Sequence, residues 1–177
     1  MSKGKLTRWI SLVGMMGSGK STIGAALADK LDVPFVDSDA EIEAAATMSI
    51  AEIFARDGEA FFRDKEHQVI ARLIAGAPAI LSTGGGAVIT EALRADLVAK
   101  TTMVWLDADI DALWTRVKGK EDRPLLNTDK PRAVLQDLLA ARRAFYAEAH
   151  IRVDSGSGRP VGAIADEIIA QLPKEEG

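Results

Sequence analysis

Trp9-Ile10-Ser11-Leu12-Val13-Gly14-Met15-Met16-Gly17-Ser18-Gly19-Lys20-Ser21-Thr22 decides the fold. Five apolar-rich residues read as a buried strand. Glycines then break the pattern, and Ile23, Leu27 and Leu31 follow at i, i+4, i+8, the period of a helix over Ser21–Leu31. Residues 14–21 match G-x-x-x-x-G-K-[ST], which arises by chance in roughly one chain of this length in a hundred or fewer. The strand before it and the helix after it cut that chance further. Its chemistry explains its residues. Glycines let backbone N–H groups curl around phosphate oxygens, and the helix N-terminus adds a favourable dipole. Lys20 places a point charge on β/γ-phosphates, and the Ser21 hydroxyl can ligate Mg²⁺. Gly24 fits either ordinary packing or a close approach of helix to sheet.

Working outward, short apolar runs alternate with helical periods. Strands are expected at Pro34–Val36, Ala79–Leu81, Met103–Leu106 and Ile151–Val153. Helices are expected at Ile42–Arg56 (broken near Thr47–Ser49), Glu59–Ala75, Glu91–Ala99, Asp109–Val117, Pro131–Ala147 and Val161–Leu172. Strand–helix alternation repeated five times implies an α/β sandwich around a mainly parallel sheet; these runs do not fix the strand order. The 177 residues suit one domain. With 47% hydrophobic and 27% charged residues, the chain is neither disordered nor fibrous. A net charge of −4 disfavours a general nucleic-acid binder. The absence of cysteine excludes disulfides, thiolate catalysis and Cys-based metal sites. No apolar run reaches the ~20 residues of a membrane span, and the basic start lacks a secretory pattern. The expected setting is cytoplasmic, with no membrane partner and a monomeric state.

Asp37 and Asp39 follow the second strand, where ligands of an open α/β sheet gather. In an extended segment the two would point the same way. One could support Mg²⁺ and the other accept a hydroxyl proton; alternatively Asp-Ser-Asp forms an Asx turn and helix cap, with Ser38 or Asp39 available as the capping residue. Arg142 sits on the apolar stripe of Val134, Leu135, Leu138, Leu139 and Phe145, so it points inward and needs an anion. That anion is either one of the chain's own acids or a group on a ligand. Arg63 and Glu66, three apart, are either a surface pair or a fork held in position. His67 is expected on the helix surface or packed. Gly84, Gly85 and Gly86 either open the backbone to a ligand or form a flexible loop. The charged stretch 118–130 is either solvated or a closing lid, with Arg123 its candidate for the transferring phosphate.

In order and spacing, GMMGSGKS (14–21), DSD (37–39), FRDKE (62–66), STGGG (82–86), DRPLL (122–126) and RRAFY (142–146) resemble the shikimate kinase family. The resemblance covers about 11–172. It implies a three-layer α/β sandwich, a five-stranded parallel sheet of order 2-3-1-4-5 and a mobile lid near 118–128. It implies ATP-dependent phosphorylation of the shikimate 3-hydroxyl with Mg²⁺. Carried over by position, Gly17, Ser18, Gly19, Lys20, Ser21 and Thr22 hold phosphates, with Ser21 and Asp37 supporting the metal. Asp39 holds shikimate hydroxyls and is the candidate base. Arg63 and Arg142 clamp the carboxylate, Gly84–Gly86 line the substrate, and the substrate-binding region is about 38–75. Arg123 is the lid arginine, Arg116 resembles the adenine-stacking arginine, and Arg159 is the candidate base contact in the small loop 155–160. Lys20, Asp39 and Arg123 form the implied catalytic set. The segment before Tyr146 reads Arg-Ala-Phe where many relatives place proline. Rival readings are a gluconate kinase, or a nucleotide-binding regulatory module without catalysis.

Overall fold

The computed structural model describes residues 6–119 and 126–174. Arg123 and the middle of the expected lid lie outside the described residues.

The chain alternates strands and helices in the order β1 (Trp9–Val13), α1 (Lys20–Leu31), β2 (Phe35–Asp37), α2 (Ser38–Ala46), α3 (Ile50–Ile74), β3 (Ile80–Ser82), α4 (Glu91–Lys100), β4 (Thr101–Asp107), α5 (Ile110–Val117), α6 (Pro131–Tyr146), β5 (Ile151–Asp154) and α7 (Val161–Gln171). A short 3₁₀ turn, Ala87–Ile89, precedes α4. The strands form one sheet of order β2-β3-β1-β4-β5. Every pairing is parallel, with Ile10 opposite both Ile80 and Thr102, and Val104 opposite Ile151. The order implied by the family resemblance is the one observed.

Strand periodicity divides the core into two layers. Trp9, Val13, Met103 and Trp105 face the side covered by α3, α4, α5 and α6. Ile10, Leu12, Val104 and Leu106 face α1 and α7. β1 is buried along its whole length, as a central parallel strand must be. A third, smaller cluster of Ile42, Ile53, Phe62 and Val69 joins α2 to α3.

Local chemistry sets the breaks. Thr47 in the left-handed region ends α2, and Ser49 caps α3 through Glu52 N at 3.1 Å. Gly58, at φ 84° and ψ 171°, kinks α3 and separates its start from the long amphipathic half. Gly24 is the site of a close helix–sheet approach: a Cβ there would lie 2.5 Å from Phe35 Cε2. Because all five strands are parallel, their carboxyl ends share one edge. The loops at that edge carry Gly14–Lys20, Asp37–Asp39, Gly84–Gly86 and the start of α5.

Candidate active site

The phosphate loop bends from β1 into α1. Gly17 and Gly19 sit at φ 82° and 96°, where a side chain would be strained. Gly19 ends the loop without a side-chain cap on α1, leaving the first-turn N–H groups of the helix available to an anion. A Cβ on Gly14 would lie 2.7 Å from Leu106 O, so the loop packs tightly against β4. Lys20 Nζ lies within the loop, donating to Gly14 O (2.8 Å) and Met15 O (3.0 Å). Ser18 Oγ is buried with no protein partner among the described residues, whereas Ser21 and Thr22 are exposed on the helix start.

The donor set fits a Mg-nucleotide. Ser21 Oγ lies 3.5 Å from Asp37 Oδ2, placing two hard oxygens at the mouth of a glycine-walled anion cradle. Mg²⁺ prefers such sites, with one or two protein oxygens and the remaining positions filled by phosphates and water. Arg116 braces the cradle from behind, donating to Gly17 O (2.9 Å) and Ser155 O (2.7 Å). Arg159 bonds Asp154 O and pairs with Glu167 at 2.6 Å, so its guanidinium is held by the β5–α7 segment itself.

Asp37 and Asp39 depart from the expected extended arrangement. Asp37 closes β2 and caps α2, its Oδ1 accepting from Asp39 N (2.9 Å) and Ala40 N (3.4 Å). Asp39 therefore lies in the first turn of α2. Asp37 is thus both the helix cap and the partner of Ser21, because its two carboxylate oxygens divide the tasks. Asp39 Oδ1 is buried without a protein donor among the described residues. Burial, reinforced by Asp37, pushes its pKa up, against the pull of Lys20 and Arg63.

Across the edge, α3 presents Arg63 and Glu66. Arg63 Nη1 lies 2.9 Å from Glu66 Oε1, and Nη2 lies 3.4 Å from Glu59. Glu66 has no solvent exposure, and its Oε2 meets no donor among the described residues. Burial raises its pKa, with Arg63 opposing. The pair is a fork held in position, not a surface pair. Gly84–Gly86 fit into this array through their missing side chains. A Cβ on Gly84 would lie 2.9 Å from Asp39 Oδ1 and 3.1 Å from Glu66 Oε2, and one on Gly86 would lie 2.7 Å from Arg63 Cζ.

Arg142 reaches the same place from α6. It is 4% exposed, yet no carboxylate lies within ion-pair distance of it among the described residues. Its Nη1 would stand 3.8 Å from a Cβ on Gly85. Of the two anions open to Arg142 in the sequence, no acid among the described residues supplies an ion pair, although the charge of Arg142 is felt at Glu66. Against it lies Tyr146, whose hydroxyl donates to Gly85 O at 2.6 Å. The sequence reading assigns that hydroxyl no role, although the i+4 spacing from Arg142 puts the two on one helix face. His67 packs α3 to α4 through Asp96 at 2.9 Å, outside the site.

A phosphate cradle facing buried acids and paired guanidinium groups, on a parallel sheet of this order, defines a P-loop kinase. A family model for shikimate kinase matches residues 16–173. The shikimate kinase of Ruegeria pomeroyi is 54% identical over 167 residues, 94% of this chain and 86% of its own. That of Zymomonas mobilis is 52% identical, covering 94% of each chain. The chain belongs to the shikimate kinase family. Among solved structures, shikimate kinase from Acinetobacter baumannii in complex with shikimate has a TM-score of 0.89 at 32% identity, over 96% of this chain and 97% of that one. A gluconokinase from Sinorhizobium meliloti, 20% identical with a TM-score of 0.60 over 94% of this chain and 92% of its own, shares the fold.

Proposed function

We propose that the chain transfers the γ-phosphoryl group of ATP to the 3-hydroxyl of shikimate, giving shikimate 3-phosphate and ADP in aromatic amino-acid biosynthesis. Arg142 is the observation that carries the reading of the acceptor side. A guanidinium this buried, without a carboxylate of its own chain among the described residues, calls for a ligand anion. Arg63, oriented by Glu66, supplies the second fork of a carboxylate clamp.

The remaining roles are those the family resemblance implies. Gly17–Thr22 wrap the phosphates, and Lys20 neutralises charge between the β- and γ-groups. Ser21 and Asp37 would hold Mg²⁺, which when bound offsets negative charge on the transferring phosphate. Asp39 orients the attacking hydroxyl and takes its proton late. Its raised pKa makes it a stronger base than a solvated aspartate, and burial keeps competing water away. Gly84–Gly86 leave room for the acceptor. Arg116 supports the nucleotide side, with Arg159 on the adjoining segment. Arg123 enters with the lid, about 118–128. Phosphoryl transfer requires mainly positioning and charge neutralisation, which these groups provide without covalent catalysis.

The reading extends to a single kinase domain over 1–177, acting as a cytoplasmic monomer with no nucleic-acid partner. The net charge of −4 supports the last point. No described helix is long and apolar enough to cross a membrane. The test is ADP release with MgATP and shikimate, against gluconate, a nucleoside monophosphate and no acceptor. Shikimate-dependent release with a phosphorylated product is expected. Release with gluconate alone would reassign the Arg63–Arg142 pocket, and ATP binding without turnover on any acceptor would favour a regulatory module.

A further inference from the structure

Tyr146 is the chain's sole tyrosine, 1% exposed at the last turn of α6. Its ring stacks on Trp105 with centroids 5.9 Å apart. Its hydroxyl donates to Gly85 O at 2.6 Å and lies 3.6 Å from Met15 Sδ. The described peptide bonds are all trans, so Gly85 C=O and Gly86 N–H point in opposite directions from one rigid plane. Anchoring the carbonyl on Tyr146 therefore fixes where the Gly86 N–H points. That N–H meets no protein acceptor among the described residues, and Gly86 is buried against the Arg63 guanidinium. Glycine backbone has little intrinsic preference, so a peptide between two glycines turns over easily unless something holds it. Gly85 is also where two subsites meet: a Cβ there would lie 3.4 Å from Met16 N of the phosphate loop and 3.8 Å from Arg142 Nη1.

We propose that the Tyr146 hydroxyl is a positioning group for acceptor binding, locking the Gly85–Gly86 peptide so that the Gly86 N–H joins Arg63 and Arg142 in one carboxylate-binding surface. The inference rests on the clamp reading of the two arginines. It assigns the hydroxyl a task beyond packing, since the Trp105 stack needs only the ring. The Arg142 guanidinium acts on the same oxygen, so clamp and peptide share one anchor.

The test is Tyr146→Phe, which keeps the ring and removes the oxygen. Steady-state kinetics with each substrate varied, and thermal melting, are compared with the parent and with Arg142→Lys. The expected result is a rise of about tenfold in KM for shikimate, the usual effect of one buried hydrogen bond. KM for MgATP stays within about twofold, because Lys20 and Arg116 brace the phosphate-loop backbone and Tyr146 touches it only through the Met15 side chain. A hydroxyl with only a packing role would lower Tm and leave the two KM values in their parental ratio, which overturns the proposal. If Arg142→Lys also leaves KM for shikimate unchanged, the clamp reading falls instead. Should Tyr146→Phe fail to fold, 3-fluorotyrosine labels this position alone. Its ¹⁹F resonance is expected to move at saturation with shikimate but not with an analogue bearing a primary alcohol in place of the carboxylate. An equal response to both overturns the proposal.

Discussion

Gly86→Ala isolates the acceptor clamp from the fold. Gly86 lies at φ −100° and ψ 5°, which alanine adopts without strain. The new Cβ would stand 2.7 Å from Arg63 Cζ and 2.9 Å from Nη1, and closer still to Nη2. Carbon contacts are comfortable near ~3.5 Å, so the guanidinium must retreat by about 1 Å. It is the far end of a flexible side chain, so stability changes little; Tm should move by no more than about 4 °C, the shift for about 1 kcal/mol in a domain of this size. Position is another matter. Arg63 is tied to Glu66 at 2.9 Å, and retreat lengthens that bond or rotates the fork. Misplacing a substrate-positioning group by about 1 Å costs about a hundredfold, so kcat/KM for shikimate should fall by that factor. KM for MgATP should stay within about threefold, since the phosphate loop is untouched. Gly85→Ala is the internal control. Its Cβ meets Met16 N at 3.4 Å and other atoms at 3.8 Å, ordinary contacts. Its loss should be no more than about fivefold. Steady-state kinetics on both variants, with melting curves, decide the matter. A Gly86→Ala enzyme within about threefold of the parent, or a larger loss in Gly85→Ala, refutes the reasoning.

Lys20→Ala should abolish turnover while circular dichroism and cooperative melting persist, because Lys20 is a partly exposed side chain of the phosphate loop, bonded to the carbonyls of Gly14 and Met15, and not a member of the apolar core; near-parental rates in the folded variant would remove it from catalysis. Asp39→Asn should lose activity yet melt higher at neutral pH. Burial raises the Asp39 pKa in the folded chain, so its stabilising contribution is complete below the ordinary carboxylate range and is lost as pH rises through the folded value. The amide escapes that loss, and Tm measured against pH should show the gain fading towards acid; a lower Tm at neutral pH would contradict it. The lone tyrosine offers a direct titration. Burial pushes Tyr146 up to about 12 from the ordinary 10.0. Absorbance of tyrosinate should therefore develop near pH 12 in the folded chain, and stability should decline relative to Tyr146→Phe as pH rises from about 10 to about 12. A normal titration near 10 would place the phenol in water.

The phosphate loop, its strand and its helix were legible because motif and periodicity are local. The break at Thr47–Ser49 and the start of α6 at Pro131 were legible for the same reason. Strand order was not, since nothing in the apolar runs says which strand neighbours which; it came with the family resemblance. Asp39 falls in a helix and not in the extended reading because the Asp37 carboxylate caps α2 and starts it at Ser38, four residues before the expected Ile42. For Arg142 the helical spacing gave direction but not partner, since that depends on which acids the tertiary fold brings near. Tyr146 was missed because its acceptor, Gly85 O, lies 61 residues away. No spacing rule reaches that far, and a tyrosine on an apolar stripe reads as core.

The acceptor pocket selects by charge before it selects by shape. Glu66 is committed to Arg63, and Asp39, with its raised pKa, resists carrying a further negative charge. Arg142 is a buried cation with no carboxylate at ion-pair distance among the described residues, so on the proposed clamp reading its balancing charge comes from the ligand. A neutral polyol of the same outline would leave it unpaired, and an unpaired buried charge costs several kcal/mol, about 3–5 when a partner is deleted. Sites built around a polar partner reject analogues lacking it by about 10⁴-fold, far beyond what one extra or missing methylene achieves. Carboxylated acceptors are therefore separated from sugars by electrostatics alone. Among carboxylated acceptors the proposed clamp leaves the distinction to ring geometry: the hydroxyl to be phosphorylated would have to reach Asp39 with the carboxylate between Arg63 and Arg142. Gly84, wedged between Asp39 and Glu66, sets how near that hydroxyl can come. On this reading the glycines, by carrying no side chain, help to set which acid fits.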